Sequence, residues 1–162
     1  KRVLDVIHVF YAVQQKIPSR LIMIGDGPDF KKAQLLVKKM KLNDLVRFVG
    51  KTSKIDTILE KTNLFLLPSE IESFGLVALE AMSFSVPVIT TSSGGISDLV
   101  IDKKNGYTCD VGDINDMSDK AITLLSDNQL YKSMSINAFQ SVQRYDISKI
   151  IPMYEECYQK LL

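Results

Sequence analysis

Tryptophan is absent from this 162-residue sequence, histidine occurs once and cysteine twice. With His8 alone, and that within a helical pattern, a multi-histidine metal centre inside the chain is excluded. Cys109 and Cys157 stand far apart and lack metal-ligand spacing, which fits a reduced, cytoplasmic setting. Neither sign of charge prevails. Twenty lysines and arginines against nineteen aspartates and glutamates leave a net charge of +1, no electrostatic footing for nucleic acid or an anionic membrane. No apolar run approaches the roughly 18–20 residues of a bilayer span. Internal repeats, low-complexity tracts and linkers are missing too. The sequence starts at Lys1, already inside a helical pattern, and offers no signal peptide to interpret. What remains is ordinary globular material, 46% apolar and 24% charged, long enough for one domain with a buried core.

Apolar residues recur at helical spacing from Val3 to Val13, and this run stops before Pro18. Leu21 to Ile24 is a short continuous apolar run, the pattern of a strand buried on both faces of a parallel sheet. Helical spacing returns from Phe30 to Met40, where Lys31, Lys32, Lys38, Lys39 and Lys41 form a solvated face. Strands are expected at Val46–Val49, Leu64–Leu67, Val88–Thr90 and Tyr107–Cys109, and short helices at Ile55–Leu59 and Ile96–Val100. A longer helix is expected from Leu76 to Phe84. From Ile114 the chain reads as helical, with breaks near Asp127-Asn128 and Tyr145-Asp146. This alternation predicts an α/β fold with a doubly wound, Rossmann-like parallel sheet, whose ligands sit at the carboxyl ends of the strands. The six methionines are scattered gap-fillers.

The chemistry concentrates between Pro68 and Met82. There a buried strand ends, a loop carries Glu70 and Glu72, and Phe74-Gly75-Leu76 leads into a helix. Strand, loop and helix present free amides and a positive dipole end to an anion. Gly75 is expected to remove a Cβ that would keep a phosphate off the backbone. Glu80, about one turn past Leu76, leans back toward the same place and offers a carboxylate to ribose or sugar hydroxyls. Gly25-Asp26-Gly27-Pro28 is a second candidate loop, read equally well as a tight turn. It lacks the third glycine of a dinucleotide fingerprint, since Phe30 stands there, and this weighs against a nicotinamide-dependent oxidoreductase. Gly94-Gly95 is either a helix-entry turn or another loop lining the cleft.

The spacing of Glu72 and Glu80 resembles the E-x7-E signature of family 4 retaining glycosyltransferases, enzymes of the two-domain GT-B fold. Ile24 to Pro28, Val46 to Gly50, Pro87 to Gly95 and Asn105-Gly106-Tyr107 are similar to further segments of that family, so the resemblance covers the whole chain. It implies that residues 1–162 form the C-terminal, nucleotide-sugar-binding half of a longer enzyme. An N-terminal acceptor domain would then precede Lys1, and residues from about 147 to 162 would form a helix crossing back onto it. Lys1-Arg2-Val3, Gly25 to Pro28 and Glu70 to Leu76 together are most similar to members that move N-acetylglucosamine from UDP-N-acetylglucosamine to L-malate.

By the same resemblance, Glu72 and Lys1 are the catalytic residues. Glu72 orients the donor sugar through its hydroxyls rather than attacking it, and Lys1 neutralises the diphosphate, with Arg2 as the competing candidate for that charge. Glu80 would hold the ribose, and the amides of Phe74, Gly75, Leu76 and Val77 the sugar and diphosphate, with Ser73 also substrate-binding and Gly25 and Gly27 at the edge. Neither a metal nor another cofactor is expected. A homo-oligomer is left open. Ser85 departs from the family's glycine, so strain is expected at Phe84-Ser85-Val86. Two other readings stand beside this one. The first is a transferase acting on cell-wall, capsular or lipid-linked glycans, with peripheral membrane contact in that case only. The second is a non-catalytic nucleotide-binding module.

Overall fold

The computed structural model describes residues 1–160; the last two positions of the expected crossover helix lie outside the described residues. In chain order the elements are α1 (Val3–Gln14), β1 (Leu21–Ile24), α2 (Phe30–Lys39), β2 (Val46–Gly50), α3 (Ile55–Leu59), β3 (Phe65–Leu67) and α4 (Leu76–Ser83). Then come β4 (Val88–Thr91), a 3-10 turn over Gly94–Asp98, β5 (Gly106–Cys109), α5 (Ile114–Ser126), α6 (Asn128–Val142), a second 3-10 turn at Gln143–Tyr145 and α7 (Ile147–Gln159). Every strand pair is parallel, as the βα alternation requires.

The strands form two sheets where the alternation suggests one: β1–β2 and β3–β4–β5. Helix α1 ties them together, because it is apolar on two sides. Its Ile7 and Phe10 pack with Ala33, Val37 and Val46 over the first sheet. Val9 and Val13 pack with Ile89, Tyr107 and the α5 residues Met117, Ala121 and Leu124 over the second. On the far side of the second sheet, Val88 joins Ala78, Ala81 and Met82 of α4 and Ala138 and Val142 of α6. Strand β4 is therefore buried on both faces along its whole length, with Val88 and Ile89 entering opposite clusters as pleating dictates.

Strand β1 departs from the double burial expected of it. Leu21 and Met23 face α1 and α2, while Ile22 and Ile24 remain 42% and 43% exposed. Among the described residues, no helix covers its second face. The turn at Gly94–Asp98 begins on the glycines themselves rather than at Ile96. Ser85 has φ +61°, a left-handed conformation disfavoured for a residue with a Cβ, and its carbonyl accepts from Ser135 Oγ at 2.5 Å. The strain expected there is present. Helix α7 buries no residue.

Candidate functional site

The site is built at the carboxyl end of β3. Gly75 forms the amino end of α4 with φ +85° and ψ +46°, which turns the chain into the helix and leaves its first amides facing outward. The glycine is needed for a reason other than room for a ligand. A Cβ at Gly75 would point inward, 2.8 Å from Ile96 Cδ1, so the residue satisfies a backbone angle and a core contact. Leu76 and Val77 remain exposed at 70% and 42%, and no packed hydrocarbon closes the helix mouth. Phe74 turns its ring away, edge-on to Tyr145 at 5.3 Å between centroids, leaving its backbone at the loop.

Lys1 Nζ donates to Glu72 Oε2 across this mouth, joining the start of α1 to the loop after β3. The Lys1 ammonium holds the Glu72 carboxyl below its ordinary range; partial burial opposes this, and the Ser69 hydroxyl and Gly75 amide add smaller pulls. Because the folded value is depressed, the stabilising share of this pair is present above the ordinary carboxylate value and lost as pH falls through the lowered one. Ser69, itself buried, points Oγ at Glu72 Oε2 from 3.4 Å. Arg2 is engaged elsewhere. Its Nε donates to Asp5 at 2.6 Å and its Nη1 to Glu70 at 2.8 Å, so that Lys1, not Arg2, is the residue facing Glu72.

The loop is braced from below by parts that the sequence left ambiguous. Gly94 and Gly95 lie directly under it: a Cβ on Gly94 would overlap the Glu72 carbonyl oxygen, and one on Gly95 the Ser73 carbonyl oxygen. Gly95 N–H donates to Glu72 O at 3.1 Å. These glycines support the loop. Thr91 Oγ1 and Ser93 Oγ both donate to the Ser69 carbonyl, and this scaffold of hydroxyls under Ser69 left no mark in the sequence. Only the parallel pairing of β4 with β3, after the α4 crossover, brings these positions more than twenty residues apart into contact.

The remaining expected residues fall in two places. Glu80 lines an open depression of about 370 Å³ with Leu76, Val77, Leu79 and Ser83 on the outer side of α4. Gly25 and Gly27 belong to the rim of the first sheet, where the Gly25 amide donates to Gly50 O at 2.8 Å and Asp26 pairs with Lys51 at 3.3 Å. The Gly25 amide is thus engaged by protein, while a Cβ at Gly27 would meet nothing within 4 Å. Among the described residues, no three His, Cys, Asp or Glu side chains converge as metal ligands, and no helix is long and apolar enough to cross a membrane.

The site thus sets a glycine-opened helix mouth, flanked by a lysine–glutamate pair, in an α/β domain of parallel strands. The family model for glycosyl transferases group 1 matches residues 1–141, and the chain belongs to that family. It is 40% identical over its whole length to the N-acetyl-alpha-D-glucosaminyl L-malate synthase of Bacillus anthracis, of which it spans 43%. It is 31% identical to the poly(glycerol-phosphate) alpha-glucosyltransferase of Bacillus subtilis, matching 90% of this chain and 22% of that protein. The chain thus spans less than half of these relatives. Among solved structures, the C-terminal domain of a group 1 glycosyl transferase from Francisella tularensis superimposes with a TM-score of 0.80 at 26% identity, covering 90% of this chain and 80% of that one. An Anabaena protein solved with UDP and glucose gives 0.86 at 25% identity over 94% of this chain and 44% of its own. The fold is that of GT-B glycosyltransferase C-terminal domains.

Proposed function

We propose that the chain is the donor-binding domain of a retaining hexosyltransferase that moves N-acetylglucosamine from UDP-N-acetylglucosamine to L-malate, a step of bacillithiol biosynthesis in the cytoplasm. The observation that carries the donor role is the Lys1–Glu72 pair across the mouth opened by Gly75. The relative from Bacillus anthracis, similar along the whole chain, supports the sugar and the acceptor. In this reading the bond from the sugar's anomeric carbon to the UDP oxygen breaks as that carbon gains oxocarbenium character. Charge grows on the departing diphosphate, and Lys1 with the outward amides of residues 74 to 77 stabilises it.

Lys1 must first exchange part of its contact with Glu72 for the phosphate. Glu72, freed to that extent, orients the sugar hydroxyls, and Glu80 receives the ribose hydroxyls. No metal is required of this chemistry. The acceptor would be bound by a further domain, onto which the exposed apolar residues of α7 (Ile147, Ile151, Tyr154 and Tyr158) would dock. Alone, the chain would bind UDP weakly and transfer nothing.

Calorimetric titration with UDP tests the donor role. Glu80→Ala should lose roughly 1–3 kcal/mol of affinity, because its hydroxyl partners are left without an acceptor. Unchanged affinity would mark a non-catalytic module instead. Likeness to the Bacillus subtilis glucosyltransferase keeps a wall-polymer acceptor as a second reading. Product analysis of the longer protein with UDP-N-acetylglucosamine, L-malate and glycerol-phosphate polymer separates the two.

A further inference from the structure

Arg2 stands at the entrance of α1 with φ +46° and ψ +49°, a left-handed conformation that glycine adopts freely and a side-chain-bearing residue does not. Its guanidinium fork reaches three separate segments. Nε donates to Asp5 in the first turn of α1 at 2.6 Å, and Nη1 donates to Glu70 in the loop after β3 at 2.8 Å. Nη2 lies over the turn after β5, where a Cβ on Gly112 would approach it to 3.2 Å. Asp5 is buried, so one end of the clamp is anchored, while Glu70 is exposed and has no other side-chain partner among the described residues. Glu70 precedes Glu72 by two positions. Whatever fixes Glu70 therefore limits where the Glu72 carboxylate can go.

We infer that Arg2 is a positioning residue of the donor site: its fork pins Glu70, and through it holds Glu72 opposite Lys1 at the amino end of α4. The inference rests on the donor-site reading above. A planar guanidinium suits this task because it meets two carboxylates in fixed directions, which a lysine ammonium on a flexible stem does not. In this geometry both paired directions of Arg2 are taken by carboxylates.

Two readouts on the 162-residue chain test this. One is the titration of the Glu72 carboxyl, followed by carbon NMR; the other is UDP affinity by calorimetry. The variants are Arg2→Gly, which keeps the backbone angle accessible, Arg2→Lys, Glu70→Gln and the Arg2→Gly/Glu70→Gln pair. In Arg2→Gly and in Glu70→Gln, Glu72 should titrate closer to its ordinary value and UDP should bind about fivefold more weakly, with the pair no worse than Arg2→Gly alone. Arg2→Lys should not restore either readout.

Glu70→Gln changes an exposed carboxylate and keeps the fold, so it decides even where an Arg2 variant unfolds. Unmoved Glu72 titration and unchanged UDP affinity in Glu70→Gln would overturn the inference, as would losses that multiply in the pair. If wild type fails to bind UDP while Glu72 still shifts in the variants, the donor reading falls and the Arg2 clamp stands.

Discussion

Glycines divide here into those that shape the backbone and those that let two segments touch. Gly75 does both, turning α4 outward at φ +85° while admitting Ile96 beneath it. Gly94 and Gly95 are contact glycines whose hydrogens meet the carbonyl oxygens of Glu72 and Ser73. Gly95→Ala should therefore cost roughly 1–3 kcal/mol, as overpacking does, because the obstacle is backbone and cannot rotate aside. Urea denaturation would measure this, and a loss below half of one kcal/mol would show that the loop yields. Ser85 also has a left-handed backbone angle, and its carbonyl accepts a hydrogen bond from Ser135 Oγ. Cys109 is the buried thiol, pushed up to about 12 chiefly by desolvation, and it is inert at neutral pH.

The amino ends of α5, α6 and α7 are each set by a single aspartate. Asp127 closes α5 and opens α6, its Oδ1 accepting from the amides of Gln129 and Leu130 at 2.9 and 3.0 Å. Asp113 and Asp146 cap α5 and α7 in the same manner. Asp127→Ala should lower stability by about 1 kcal/mol, with Asp127→Ser retaining most of it; thermal unfolding of the two variants is the check, and equal losses would deny the cap its role. The breaks near Asp127 and Tyr145 were readable in the sequence because capping is local chemistry. No side chain caps α1 to α4, and at the entrance of α1 Arg2 pairs both with the nearby Asp5 and with the remote Glu70. Nothing within four residues of Arg2 announces that partner. Strand β1 departs from its expected burial for a related reason: Leu21 to Ile24 has the run of a fully covered strand, yet whether a layer lies on its second face depends on distant elements.

Across the molecule, the first sheet with α2 shares one cluster with α1, and the second sheet has clusters on both faces. The expected consequence is unequal local stability. Amides of β1 and β2 should exchange with deuterium faster than those of β4, whose four residues are all buried; equal protection would mean that α1 couples the two sheets into one cooperative unit. The order of elements, the parallel pairing and the loops at the carboxyl strand ends were legible in the sequence alone, since periodicity, glycine and proline placement and right-handed crossovers are properties of consecutive residues. The spacing of Glu72 and Glu80 was visible too, through its resemblance to a family signature; in the structure Glu72 pairs with Lys1, and Glu80 lines a depression with Leu76, Val77, Leu79 and Ser83. Tertiary structure alone decided that Lys1 rather than Arg2 faces Glu72, that Gly94-Gly95 braces the loop from beneath, and that the strands part into two sheets. Each of those outcomes depends on which side chains meet across some twenty to seventy residues of chain, and such meetings are set by how layers pack, which no local pattern encodes.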